Sequence, residues 1–486
     1  MHALVLVFAS VVAAPCDSSC SVVLDADAGR NFSGASIRGG TVCFRGGTVP
    51  NLGLHDFSPD ASVTVRVCDG VLRVAGGTNS VAVDLRDVAM LRLSGDDGDG
   101  GRALIIDGTD AGYVMGVAFG GCASRVEIDH LEVFGTSYTS LRMGAETASC
   151  PQQRGLFVHH NYFHDVGGEG SFVGMNREPT TFTWADVEFA WNRVERSGYQ
   201  GLKFGQVTNL WVHDNVIVQA GFAHTPGEDT GFPVGPRVEG VYERNLVLGA
   251  TSDCLAIGGL DSKVRAVNNL FVDCGNAGIV LGGVGHTAAR RIDLINNTIV
   301  RPAADGVLDW SAGDGGGVIV NNLAIDLPPG KRVTALKPIF DAGANLAVAS
   351  DAGFASFDTG DVTAWRLAAG NPAVNAGVLA GVDSDLEGLI RDSMPDLGAH
   401  EFGAQLPVVD AGVVDAGVDA GTDRPAADAG ASVDAGEVDA GVMSVTDGGT
   451  DQPASGGCGC TSLTSLAPLL GLLAFRRRKT ALGGQW

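Results

Sequence analysis

Down the middle of the chain, short apolar strings alternate with a fixed polar punctuation. Asn161, Asn192, Asn215, Asn245, Asn269, Asn297 and Asn322 each end one apolar segment and open another, as in LFVHHNYF, LWVHDNVI and IDLINNTI. Their spacings run from 23 to 31 residues and average about 27, the period of a solenoid repeat. Positions three before and two after the asparagine are apolar: Val158 and Phe163, Phe189 and Val194, Val212 and Ile217, Leu294 and Ile299. Strand alternation turns such residues inward. A second strand follows in each repeat, often led by glycine, as in Gly201–Gly205, Gly278–Gly282 and Gly306–Trp310. The pattern predicts a coil of stacked parallel strands whose turn asparagines form an amide ladder. Upstream, Thr41–Val49, Val63–Val67, Val81–Leu85, Leu91–Ser94, Ala103–Asp107 and Val126–Val133 have the same β-rich character. They extend the coil from about residue 40 to about residue 345, or about 11 rungs at this period.

On these residues the chain resembles the right-handed parallel β-helix of the pectate lyase type, over about 300 residues. Leucine-rich repeats also carry an asparagine ladder, but LxxLxLxxN is absent and the irregular spacing implies loops between strands. The expected class is all-β, a right-handed parallel β-helix solenoid followed by a disordered acidic linker and a short hydrophobic segment. The expected boundaries are 1–20 for a signal region, 21–345 for the coil, 346–405 for a cap, 406–457 for the linker and 458–486 for a tail. Residues 365–403, with Asn371-Pro372, Asp383 to Arg391 and Asp396-Leu397-Gly398-Ala399-His400-Glu401, resemble the choice-of-anchor Q region. The usual pattern has Asp where Asn375 stands and Tyr where His400 stands. That resemblance implies a C-terminal closure of the coil.

Composition sharpens the picture at the ends. Glycine is 71 of 486 residues and charged residues are 18%, which suits short strands and tight turns. The net charge of −24 argues against nucleic acid or an anionic membrane surface as partner. Ten acids and one base between Pro407 and Gly457 concentrate −9 of it in a stretch with six Asp-Ala-Gly triplets, a self-repelling tether. Ala3 to Ala14 reads as a secretory leader, although its first residues lack Lys and Arg. Eight body cysteines fit an oxidising compartment. Pairs between neighbouring rungs, Cys43–Cys68, Cys122–Cys150 and Cys254–Cys274, are the expected connectivity. Beyond the tether, Cys458-Gly459-Cys460, an apolar run from Leu463 to Phe475 and Arg476-Arg477-Arg478-Lys479 resemble the myxobacterial C-terminal sorting signal, the MYXO-CTERM tail. This resemblance implies export, processing at Cys458 and Cys460, and display at the surface of a Gram-negative, myxobacterium-like cell. An ordinary single-span anchor would lead to nearly the same place. The expected partners are the export and sorting machinery and a polysaccharide, with membrane contact only through the tail and a monomeric body.

The candidate chemistry follows from the rung register. Ser252-Asp253-Cys254 and Cys274 to Gly282 resemble polygalacturonase-type hydrolases, whose inverting mechanism needs two carboxyl groups. Here Thr230, Ala277 and Leu308-Asp309-Trp310 stand where that family has an acid, a histidine and Arg-x-Lys. The hydrolase mechanism is therefore not expected. A polysaccharide lyase needs a base at the uronate α-carbon and a cation on the carboxylate. Lys203 and Arg142, two rungs apart on the outward row Arg142, Phe172, Lys203, Pro233, are the candidates, with Asp229 and Asp253 beside them. The turn oxygens of Glu169, Gln200, Asp229 and Asp253 form a row of the kind that holds Ca²⁺. No zinc-ligand spacing occurs. His159 and His213 share one outward position, and with Phe157, Trp211, Tyr199 and Glu169 they mark a sugar-binding strip. Capping of turn amides by the acids and plain solvation of the lysine form the bland counterpart. Two classes remain open: a polysaccharide lyase, and a non-catalytic adhesive module.

Overall fold

The computed structural model describes residues 16, 18–58, 60–144, 150, 152–176, 183–355 and 363–404. The leader, the Asp-Ala-Gly stretch and the tail with Cys458 and Cys460 lie outside them. The described chain is built of strands, with only two short 3-10 turns, Ala26–Asn31 and Ser350–Ala352. Among the described residues no helix is long and apolar enough to cross a membrane.

The strands coil into a parallel β-helix with three walls. The wall preceding each asparagine starts at Val22–Leu24 and ends at Phe340–Gly343. It is joined by twelve successive parallel pairings, hence thirteen rungs. That exceeds the predicted number because Val22–Leu24 adds a rung upstream of residue 40 and upstream spacings such as Val42 to Val65 are short. The second wall follows the asparagine, and the third is the glycine-led wall. Val158, Phe163, Phe189, Val194, Val212, Ile217, Leu294 and Ile299 are all fully buried in one core that runs the length of the coil.

The asparagines do what their spacing predicts. Each Nδ2 donates to the Oδ1 of the next asparagine at 2.9–3.0 Å, from Asn161 to Asn322. The ladder runs one step further than the sequence pattern showed, to Asn345 at 2.9 Å. Each Oδ1 also accepts a backbone N–H from the rung before it, as Asn245 does from Asn215 at 3.1 Å. The residue preceding each asparagine sits in the left-handed region: His160, Trp191, Asp214, Arg244, Asn268, Asn296, Asn321 and Ala344, with φ between +46° and +59°. That row reverses the chain direction, and its side chains project outward.

Residues 363–404 pack against the side of the last rungs of the coil. Trp365, Leu367, Ala373, Leu386 and Leu397 pack on the outward apolar positions Leu246, Leu270, Val272, Val300, Leu323 and Ile325. The left-handed row pins them: Asn268, Asn296 and Asn321 donate to the carbonyls of Ser384, Asp396 and Val378 at 2.7–2.9 Å. Arg391 and Glu401 form a buried pair at 2.8 Å, and Arg391 also donates to Asn268 and to the Gly398 carbonyl.

Four disulfides are present, two of them as expected: Cys122–Cys150 and Cys254–Cys274. The third expectation, Cys43–Cys68, is wrong. In the strand register Cys43 faces Arg66 and Cys68 faces Arg45, a two-residue offset that keeps their Cβ atoms from meeting. Instead Cys20 takes Cys43 and Cys16 takes Cys68, stapling the N-terminal segment to the first rungs.

Two measurements check this architecture. Asn245 donates to Val212 O, Glu243 O and Asn269 Oδ1, so Asn245→Ala strands several buried groups and should cost about 3 kcal/mol in denaturant unfolding. The half-buried terminal Asn345→Ala should cost no more than about 1 kcal/mol, and equal losses at the two positions would contradict the ladder. Non-reducing peptide mapping should return Cys16–Cys68 and Cys20–Cys43; a Cys43–Cys68 peptide would refute this register.

Candidate functional site

The glycine-led wall begins with Phe32–Ser33 and continues through Leu52–His55 and the first parts of Val81–Ser94 and Met115–Asp129 to Thr139–Met143. Its register aligns Gly53 with Asp84, Ala118 and Arg142, and His55 with Arg86 and Gly120. Leu52, Leu54, Val83, Leu85, Leu141 and Met143 are buried in the coil, so alternation sends the other set outward. The outward positions are small or charged. They form the floor of a groove of about 980 Å³, lined also by Arg30, Asn31, Asn51 and Asn79.

Missing side chains shape that floor. A Cβ on Gly120 would stand 3.4–3.5 Å from the Arg86 guanidinium, and one on Gly144 would stand 3.5 Å from the Arg142 Cζ. Each arginine thus lies low across a glycine. Arg86 reaches Asp84 at 3.2 Å with 61% of its side chain exposed. Arg142 donates to the carbonyls of Gly174 and Phe172 at 3.0 and 3.3 Å, which fixes its fork at the groove end. His55 meets Asp56 through Nδ1 at 2.7 Å and Asn31 through Nε2 at 2.9 Å. Asp56 adopts φ +62°, and its hydrogen bond to His55 holds its carboxyl below the usual range.

Arg142 is therefore in the groove, but the other proposed catalytic residues are not. Lys203 is 7% exposed; it pairs with Glu169 at 3.3 Å and Glu228 at 3.4 Å. The space between Arg142 and Lys203 is not open to a sugar. Phe172 fills it, with the Arg142 Cζ 4.0 Å and the Lys203 Nζ 5.0 Å from its ring centre. The Lys203 Nζ is thus occupied by two carboxylates over an aromatic face. Glu169 is buried and accepts from Tyr138 Oη at 3.1 Å as well, so it faces the lysine and not a ligand. Asp253 accepts from Asn276 Nδ2 at 2.8 Å and the Ala277 amide at 3.2 Å. Burial, reinforced by Asp229, pushes its carboxyl up to about 6. It caps a turn rungs away from the groove, in line with Thr230 and Ala277.

The histidine strip forms on the wall before the asparagines. Asp129, His159, Ala190 and His213 share one row, and Glu127, Phe157, Glu188 and Trp211 share the next. Tyr199 does not join them; its amide bonds Gly168 O at the turn before the glycine-led wall. The ring faces in the strip are spent on one another: Phe157 on His159 at 4.0 Å, Trp211 on His213 at 3.8 Å, His160 on Trp191 at 5.2 Å. His159 is bonded to Glu127 and His160, and His213 to Glu188 and Asp214. His160 is pushed down by burial and then by His159 and His130. Glu127, Asp129 and His159 have the spacing of a metal site, but the Arg92 guanidinium already sits on both carboxylates, 3.1 and 2.8 Å away. Asp385, Glu387 and His400 form a second such cluster, with Arg366 on Glu387 and the amides of Glu387, Leu389 and Glu401 on Asp385.

Sequence reasoning missed Arg30, Asn31, His55 and Arg86. The asparagine ladder starts at Asn161, so its register was not carried upstream. The outward row of Arg142 can nevertheless be followed back through Ala118 to Asp84 by alternation alone.

No family model matches the chain, and no curated protein matches it in sequence. Solved structures do resemble it. Pectate lyase Pel9A is 15% identical over 76% of this chain and 89% of its own, with a TM-score of 0.40. An alginate lyase from Paenibacillus sp. str. FPU-7 is 11% identical over 60% of this chain and 97% of its own, at 0.40. A lacto-N-biosidase from Eubacterium ramulus is 12% identical over 63% and 62%, at 0.41. At such scores the likeness reaches no further than the coil.

The strip makes a pH prediction. Burial alone would lower the His213 pKa, but hydrogen bonds to Asp214 and Glu188 outweigh it and raise it. A raised folded pKa stabilises fully below the unfolded value of about 6.5 and is lost as pH rises through the folded value. The stability gap between the natural chain and His213→Gln should be wide at about pH 5 and narrow by about pH 8; a gap that widens with pH would reverse the assignment.

Proposed function

We propose that this protein is an exported, surface-tethered β-helix that binds an acidic, uronate-containing polysaccharide in the arginine groove of its glycine-led wall. One observation carries the reading. The whole chain has a net charge of −24, yet among the described lining residues Arg30, Arg86 and Arg142 face a single acid, Asp84. Three positive charges against one leave a groove of net +2 on a strongly acidic molecule. Guanidinium forks match carboxylates in two-point hydrogen bonds, and the asparagines around them suit sugar hydroxyls. The leader at Ala3–Ala14 and the Cys458–Lys479 tail are consistent with export and tethering, which would place the groove outside the cell.

β-Elimination is the finer reading of the same site. An arginine that neutralises the uronate carboxylate also makes the adjacent C–H more acidic. A non-catalytic adhesive role is favoured by the locked Lys203, which leaves the wall without the lysine base that was expected. Titration calorimetry of the full chain with oligogalacturonate, oligoalginate and a neutral glucan separates acidic from neutral recognition. Acidic oligomers should bind, weaken with salt, and lose about tenfold in affinity in Arg86→Gln, a figure typical of one charged hydrogen bond. Equal binding of the neutral glucan, or an unchanged Arg86→Gln, would remove the groove from consideration.

A further inference from the structure

Past Lys203 the glycine-led wall presents a different surface. Its later strands are Phe232–Val234, Leu255–Ile257, Ile279–Leu281 and Val307–Asp309, paired in register. Pro233, Ala256, Val280 and Leu308 share one outward row. The residues that follow the strands, Gly235, Gly258, Gly282 and Trp310, form the next. They face outward because Val234, Ile257, Leu281 and Asp309 before them are buried in the coil. Neither row carries a charge.

Trp310 is the one large side chain in the second row, and it lies flat on the rung before it. A Cβ on Gly282 would stand 2.5 Å from the indole Cζ2, 2.9 Å from Cη2 and 3.0 Å from Cε2. Only glycine leaves the ring room there. The seat is pinned: the Trp310 amide donates to Leu281 O at 3.0 Å, and His286 Nε2 bonds Gly282 O at 2.8 Å. Glycine covers one side of the ring, yet 56% of Trp310 is exposed. Among the described residues no aromatic ring or cation stacks on it, whereas Trp191 and Trp211 stack on His160 and His213. Next along the row, Gly258 is exposed, and a Cβ there would meet nothing within 4 Å. Beyond it, the Asn176 side chain lies across two more glycines, since a Cβ on Gly205 or Gly235 would collide with its Oδ1. The row thus holds an aromatic platform, one bare rung and an amide.

We infer that Trp310 is the platform of a second glycan site, which takes a neutral chain of β-linked pyranoses. It stands six rungs from Arg142, about 29 Å along the wall, and it does not depend on the reading of the arginine groove. A pyranose with equatorial hydroxyls carries C–H groups on its faces and oxygens around its rim. The C–H face covers the exposed indole, and the rim reaches the Asn176 amide and the glycine backbone. The lack of charge selects a neutral sugar, because a uronate carboxylate would lose water here and find no cation. One exposed ring beside bare glycine is also far short of the roughly 1,000 Å² that a protein interface needs.

Calorimetry of the full chain with cellohexaose tests the site. Binding should be weaker than that of the acidic oligomers and, unlike theirs, insensitive to salt. Trp310→Ala should lose about tenfold or more in affinity, as tryptophans at the centre of a contact do. Trp310→Phe keeps a ring on Gly282 and should stay within about threefold of the natural chain. Gly282→Val keeps the tryptophan but unseats it, and should lose as much as Trp310→Ala. Arg86→Gln and Trp191→Ala should bind cellohexaose unchanged. Neutral-glucan binding that survives Arg86→Gln and is lost in Trp310→Ala belongs to this site, so the two sites are read separately. Failure of the natural chain to bind cellohexaose, or undiminished binding by Trp310→Ala, overturns the inference. If Trp310→Ala instead abolishes self-association of the chain, the ring is a contact between copies and the inference falls.

Discussion

The amide ladder is the constraint from which the rest of the molecule follows. At every turn after the first wall the backbone must reverse with its N–H and C=O groups inside the coil, where no water reaches them. One asparagine per rung solves this with a single side chain. Its Oδ1 accepts an amide N–H from the rung before, and its Nδ2 spans the carbonyls on either side, as Asn215 does with Phe189 and His213. An unpaired buried backbone group costs on the order of 1–3 kcal/mol, so the ladder removes a penalty that would otherwise recur at each rung. Its one-to-one stacking also allows no slip in register, because a shift of one residue would place an apolar side chain at the turn.

Fixing the turn fixes what faces out beside it. The residue before each asparagine is forced into the left-handed region, and its side chain leaves the coil. The chain uses this row differently along its length. Among the early rungs it carries His160 and Trp191, stacked at 5.2 Å, and His130 of the rung before, which precedes Leu131, stacks on His160 at 5.0 Å. In the middle it carries Asp214 and Arg244, joined at 2.8 Å. Towards the end Asn268, Asn296 and Asn321 hold residues 363–404 against the flank. One backbone requirement thus yields a ring stack, an ion pair and a docking strip.

The fold was legible because its signal repeats: an inward apolar residue at fixed distance from an asparagine survives loops of any length. Asn345 escaped notice because Gly343-Ala344-Asn345 lacks the apolar run that frames the others. The disulfides show the limit of spacing arguments. Cys254 and Cys274 could be paired from neighbouring rungs, whereas Cys43 and Cys68 also lie one rung apart but two residues out of line. Lys203 shows the limit for sites. Alternation placed it outward correctly, in line with Arg142 and Phe172, but its fate depends on Glu228, which a loop brings back over the wall. Direction is written in periodicity; company is written in loops.

The same distinction explains why the groove sits where it does. The outward row of the glycine-led wall changes character along the coil. It reads Gly53, Asp84, Ala118, Arg142 over the first rungs, then Phe172 and Lys203, and then Ala256, Val280 and Leu308. In the first part small residues leave room above the sheet and the charged ones lie flat across it. At Phe172 the row closes, because an aromatic ring between two cations fills the space, and Glu228 lies over the lysine. Beyond it the side chains are apolar, and Ala256 and Leu308 pack with Val280 and Ala304 in a small cluster of their own. The groove floor, with Arg86 and Arg142, therefore lies over the first stretch of this wall. The coil sets the spacing of the rungs. What ends the groove at Phe172 is the size of the side chains in one outward row.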